Sequence, residues 1–189
     1  MREPAGNGIK AWAPDYHESP FCFEEKFEKF TRLVAWSDDP AQIQHAFFAI
    51  IELLPDPLEI LLKVAAGQAD EGEPLWQRFS AMRRRDVFTA AVRANEFFVF
   101  SDGAHQLTLK DPAREHYLTL DEHGMFFVYE PVPANLEIFR TFGFADRKAS
   151  LLYAMPHFQR VSTDDTPQRQ FINALGLLPA QSAYAREFP

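Results

Sequence analysis

The sequence predicts an α+β protein, with a mainly antiparallel sheet of about five strands and helices largely on one face. Three observations lead there. From His105 to Glu130, apolar and polar residues alternate with the period of a β-strand in three runs, each closed by turn residues. Leu58, Ile60, Leu62 and Val64 alternate with Glu59, Leu61 and Lys63 in a separate run. Ile43, Phe47, Ile50 and Leu54, by contrast, fall on one helical stripe that starts after Asp39-Pro40 and stops at Pro55.

In chain order, residues 1–20 hold Pro4, Gly6, Gly8, Pro14 and Pro20 with little periodicity and read as an extended N-terminal arm, docked through Ile9 and Trp12. Over about 21–36, Phe23, Phe27, Phe30 and Leu33 recur at three- and four-residue spacing, which predicts an amphipathic helix. Its outer face would pair Glu25 with Lys29 and Glu28 with Arg32. In the next helix Asp39 offers an acceptor to the free amide groups, and Pro40 suits a first position that needs no N–H. The strand at 58–65 carries Leu61 on its second face, a sign of cover on both sides, and ends at the acidic stretch GQADEGEP. Residues 75–94 read as helix again, with Leu75, Phe79, Met82 and Val87 inward and Asp86 capping a second piece. At 97–100 four consecutive β-favouring residues precede Ser101-Asp102-Gly103; between the end of the preceding helix and a first strand of the meander, they favour the strand.

In the meander proper, Leu107 and Leu109 are followed by a break at Asp111-Pro112, and Leu118 and Leu120 by the turn Asp121-Glu122-His123-Gly124. Directly opposed residues of an antiparallel pair share a face, so loop parity sets the register. Even loops put Leu107 opposite Leu118 and Leu109 opposite His116, and gather Leu107, Leu109, Leu118, Leu120, Met125, Phe127 and Tyr129 on one apolar face. The other face then carries Thr108, Lys110, Tyr117, Thr119 and Asp121, with Phe126 and Val128. An odd second loop, with Gly124 in a bulge, would turn Phe126 and Val128 inward instead. The even register segregates apolar from polar residues more cleanly and is preferred.

Beyond the meander, Pro133 and Asn135 open a short helix with Leu136, Phe139 and Phe142 inward and Gly143 at its end. Residues 151–161 read as a strand, placed at an edge or bulge by Pro156. Thr166-Pro167 begin a helix through Phe171, Ile172 and Leu175 that Gly176 ends. A single domain over 21–178 and a loose tail at 179–189 complete the expectation.

Composition narrows the function. A net charge of −8 and a pI near 5.2 oppose a footprint on phosphate backbones, so no nucleic-acid partner is expected. No apolar run is long enough to span a membrane or form a signal peptide, and the lone Cys22 excludes an internal disulfide; the chain reads as soluble and cytoplasmic. The 47% hydrophobic content and 19 phenylalanines are enough for a core without metal or disulfide.

Candidate chemistry is sparse. Of the six histidines only His105 and His116 fall on the proposed inner sheet face, and the register keeps them apart, so no metal site is assigned. His123 is a turn residue and His157 follows Pro156. Cys22, flanked by two phenylalanines, reads as a small buried hydrophobe rather than a nucleophile. The pairs Glu24-Glu25, Asp38-Asp39, Asp70-Glu71 and Asp164-Asp165 stand at turns or helix starts, where acids complement the helix dipole. Arg83, Arg84 and Arg85 cannot all face one ligand from a helix and read as a solvated surface paired with the protein's own acids. No nucleophile elbow, Walker loop or dinucleotide fingerprint occurs.

These observations favour a non-enzymatic protein-binding module with no catalytic residue, no cofactor and a basic protein partner, in the manner of an acidic inhibitor or immunity-type protein. Its partner face would be Tyr117, Thr119, Asp121, Phe126 and Val128. The alternative is an enzyme or small-ligand binder with a pocket between sheet and helices, using His105, His116 or His157 and a nearby carboxylate.

Overall fold

The computed structural model describes residues 10–13, 20–68, 74–113, 116–154 and 156–180. The first half runs β1 (Ala11–Trp12), β2 (Phe21–Lys26), β3 (Thr31–Trp36), α1 (Pro40–Ile51), β4 (Leu58–Gln68), β5 (Pro74–Arg83), α2 (Arg85–Ala94) and α3 (Glu96–Ser101). The second half runs β6 (His105–Lys110), β7 (Tyr117–Leu120), β8 (Phe126–Tyr129), α4 (Pro133–Thr141), β9 (Ala145–Asp146), β10 (Phe158–Gln159), α5 (Thr166–Ala174) and β11 (Leu178–Pro179). Nine strands form one sheet in the order β11-β5-β4-β6-β7-β8-β3-β2-β9, and β1 pairs with β10 apart from it. All pairings in the large sheet are antiparallel except that of β2 with β9. The class is α+β and antiparallel-rich as the alternation predicts, but the sheet has nine strands rather than about five.

The additional strands come from segments whose pattern points elsewhere. Residues 21–36 form the hairpin β2–β3, not a helix. Leu33, Val34, Ala35 and Trp36 are buried without a break, because β3 lies between β8 and β2 and is covered on both faces. Arg32 pairs across the hairpin with Glu25 at 2.6 Å rather than along a helix with Glu28. Residues 75–94 divide: β5 takes the first part as partner of β4, and only α2 is helical. The reverse holds at 97–100, where Phe98, Val99 and Phe100 are buried on a short helix, α3, which follows α2 after Asn95. Residues 151–161 hold a 3-10 turn at Leu152–Ala154 and the two-residue β10 in place of a full strand.

Predicted caps hold where local chemistry suffices. The Asp39 carboxylate accepts from the Ala41 amide at 2.9 Å at the start of α1, with Pro40 in the first turn. Arg83, Arg84 and Arg85 separate as expected, and two of them pair with exposed acids, Arg84 with Asp86 and Arg85 with Glu52. Arg83 donates to the carbonyls of Leu175 and Gly176 after α5, and Arg85 to those of Glu52, Leu54 and Ile51 after α1. Two of the three therefore close helix C-termini whose carbonyls have no partner within the helix.

The meander takes the odd second loop. Leu120 pairs with Phe126 and Leu118 with Val128 around the five residues Asp121 to Met125, with Gly124 at φ 77°. Leu109 pairs with Leu118 and Leu107 with Leu120, two residues from the predicted register, because the first loop runs from Asp111 to His116. Phe126 and Val128 consequently join Leu107, Leu109, Leu118 and Leu120 beneath the helices, while Met125 and Phe127 turn to the opposite face. Segregation into one apolar and one polar face fails as a criterion because both faces are packed. On one side all five helices contribute to a core that includes Phe47, Phe88, Phe98, Phe139 and Phe171. On the other, Phe21, Phe23, Val34, Trp36, Met125, Phe127 and Leu152 form a second core with Ala11 and Ala13. Each large side chain so buried contributes about 1.5–3 kcal/mol before ordering costs.

Through β1 the described part of the N-terminal arm packs on the domain. Trp12 stacks on Phe158 at 5.8 Å, while Ile9 lies outside the described residues. Leu178 and Pro179 pair with β5, so the chain stays on the sheet at least that far; residues 181–189 lie outside the description. Among the described residues no helix is long and apolar enough to cross a membrane.

Candidate functional site

Asp121 builds the β7–β8 turn around its own carboxylate. Oδ1 accepts from the backbone amides of His123 at 2.9 Å and Met125 at 2.8 Å, and Oδ2 bonds His123 Nδ1 at 3.0 Å. The turn thereby presents Glu122 and His123 side by side. Asp102 makes a similar local bond, accepting from the Ala104 amide at 2.9 Å, and sets the loop between α3 and β6 next to that turn.

Between these loops there is no room for a side chain. A Cβ on Gly103 would lie 2.9 Å from the carbonyl oxygen of Lys10 and 3.1 Å from those of Arg160 and Glu122. Gly103 donates to the Arg160 carbonyl at 2.6 Å, and Arg160 donates to that of Lys10 at 2.7 Å. Four stretches of chain distant in sequence thus meet at one point.

A cleft of about 590 Å³ opens in front of this junction. Ala65 and Trp76 from β4 and β5, Asp102 to Ala104, Glu122 and His123, and residues from Gln159 to Gln168 line it. Four carboxylates, Asp102, Glu122, Asp164 and Asp165, stand among the described lining residues, which include no lysine or arginine. Asp164 accepts from the Thr166 amide at the start of α5, and Asp165 is paired with Arg169. Val161 in the wall and Phe158 beside it are exposed by 55% and 44%.

Behind the wall lies Lys10, 1% exposed, with its ammonium 3.1 Å from His105 Nε2. Burial lowers its pKa to about 8, against the pull of Asp121, Glu122 and Asp102. Burial and then the Lys10 charge hold His105 well below its ordinary range, so it stays neutral and accepts a hydrogen bond from the ammonium. Its ring stacks on Phe98 at 4.1 Å. Lys10 and His105 are too deep to touch a ligand; they anchor the arm. At the wall itself, burial raises Glu122, and Asp121 beside it pushes the same way. Burial also raises Asp102. For His123 burial opposes the charged form, but the bonded Asp121 carboxylate and neighbouring Glu122 outweigh it and raise the pKa. His123 Nε2 meets His157 Nε2 at 2.9 Å, tying the turn to the segment before β10.

The residues predicted as a partner face do not share one. Phe126 and Val128 are fully buried, Phe126 against Phe139 of α4 at 5.4 Å. Thr119 is buried on the opposite face in a hydroxyl pair with Thr108 at 2.9 Å, and Tyr117 is half-buried against Tyr129 at 4.3 Å. Asp121 is the one that reaches the cleft's surroundings, as the organiser of the turn. His116 is buried at the end of the first loop, remote from His105 in register. Cys22 is buried in the main core, and burial pushes its thiol up to about 11, in keeping with a packing role. No single stretch of sequence marks the cleft: the turn chemistry of Asp121 to Gly124 is local and readable, whereas its meeting with Lys10, Asp102 and His157 is tertiary. Known protein families, characterised proteins and solved structures offer no match to this chain.

Proposed function

We propose that the protein is a non-enzymatic binding module that receives a cationic side chain of a basic protein partner in the cleft beside the Asp121 turn. The observation that carries this reading is the lining by described residues: four carboxylates, no lysine or arginine, and an indole in the wall. A guanidinium or ammonium entering there meets the acidic groups and the face of Trp76, an arrangement that favours cations. Exposed Phe158 and Val161 supply an apolar rim of the kind that surrounds interface anchors. The overall charge of −8 steers a basic partner toward the protein.

The test is titration with an oligolysine and an oligoarginine peptide against a neutral glycine–serine peptide, followed by calorimetry at low and high salt. Saturable binding that weakens with salt is expected, with the double change Glu122→Gln, Asp164→Asn reducing affinity by about tenfold or more. Binding that ignores these changes would remove the cleft from the interaction. A second reading, a small-molecule site with Glu122 and His123 as a general acid–base pair, draws on the raised pKa of both groups. It gains if the peptides fail to bind.

A further inference from the structure

We propose that His123 and His157 form a two-histidine binding site for one divalent transition-metal ion of the zinc class, beside Glu122 at the wall of the cleft. The two Nε2 atoms face one another at 2.9 Å, with the rings inclined at 69°. They come from the β7–β8 turn and from the segment preceding β10, so the site exists only in the folded chain.

The arrangement at Asp121 fixes which nitrogen is available. Its Oδ1 is engaged by two backbone amides, and Oδ2 takes the Nδ1–H of His123 at 3.0 Å. A carboxylate only accepts, so in the neutral ring the lone pair lies on Nε2 and points to His157. A carboxylate on the far nitrogen of a ligating imidazole is the usual outer support of a histidine–metal bond. In the metal-free protein a single proton bridges the two rings. Replacing it by an ion with metal–nitrogen distances of about 2.0–2.1 Å sets the nitrogens roughly 3.3 Å apart at a tetrahedral angle, a few tenths of an ångström wider than they stand. His157 is half-buried and lies outside regular secondary structure.

One ligand atom each of Asp121, Glu122 and His123 lies within 4.8 Å of the others, which sets two carboxylates beside the His123 imidazole. His123 lines the open cleft, so solvent completes the coordination. Charge agrees in sign. Asp102, Asp121 and Glu122 surround one cation, Lys10, and their surplus negative charge matches a divalent ion. Imidazole donors select zinc, nickel or copper over magnesium and calcium, which prefer all-oxygen shells. The inference does not depend on the peptide-binding reading, because Asp164 and Asp165 take no part in it.

Tag-free full-length protein is titrated with Zn²⁺ against a chromophoric chelator at neutral pH, and with Co²⁺ for its visible absorption. One ion per chain is expected, with a cobalt spectrum typical of low coordination number. His157→Gln is expected to lower the affinity by at least about 100-fold, and Asp121→Asn by about 10- to 100-fold. His45→Gln, on the exposed side of α1, serves as the control and leaves binding unchanged. Absence of stoichiometric binding, or equal binding by the His157→Gln variant, overturns the proposal. His157→Gln keeps the test open should His123→Gln misfold, since His157 makes none of the turn's backbone bonds.

Discussion

Lys10 sits in a stretch of sequence with no periodicity and no motif, yet its ammonium is among the most deeply buried charges in the chain. A buried charge is tolerated only when polar partners replace water, and Lys10 has them in His105 and the surrounding carboxylates. Nothing local announces such a residue, because its partners lie about a hundred positions away. Gly103 is the complementary case: Asp102-Gly103 is readable as a turn, but the reason for glycine is the three carbonyl oxygens crowding its α-carbon. Gly103→Ala is expected to lower stability by about 1–3 kcal/mol, read from urea unfolding, as the carbonyls of Lys10, Arg160 and Glu122 are forced apart. A loss below about half a kcal/mol would show that these segments part easily.

Among the elements, those with strong end signals were legible. α1 is set by Asp39, Pro40 and Pro55, and α5 by Thr166-Pro167 and Gly176, and both form where those residues stand. The β2–β3 hairpin was not, since phenylalanines at 23, 27 and 30 mimic helical spacing while the first serves a strand and the other two stand at the ends of the turn. α3 shows the opposite conflict: its β-favouring residues are held in a helix by burial, which outweighs propensity. The three consecutive arginines separate only through tertiary contacts, and this gives a discriminating measurement. Arg85→Ala removes the donor shared by Ile51, Glu52 and Leu54 and is expected to cost about 1–3 kcal/mol in urea unfolding. Arg84→Ala, which loses a pair with an exposed carboxylate, is expected to cost less than about 0.5 kcal/mol. Equal effects would deny Arg85 its role in closing α1.

For the whole molecule, alternation was enough to reveal an antiparallel sheet but not its width, because strands packed on both faces lose their polar side. That same two-sidedness hid the second core, and with it the register of β8. The seat of β3 carries one more consequence. Its partner β8 begins at Phe126, so the N-terminal hairpin joins the sheet through contacts that span about half of the chain, whereas β6, β7 and β8 are joined by short loops. Closing the longer loop costs more entropy, so the local meander orders first and its outer edge waits for a partner. Pulse-labelled hydrogen exchange during refolding is expected to protect Leu109 and Leu118 before Leu33 and Val34; simultaneous protection would contradict this order. Until the hairpin arrives, β8 offers its free backbone to any strand nearby, and the interval between those two events is when the chain is most exposed to association with its own copies.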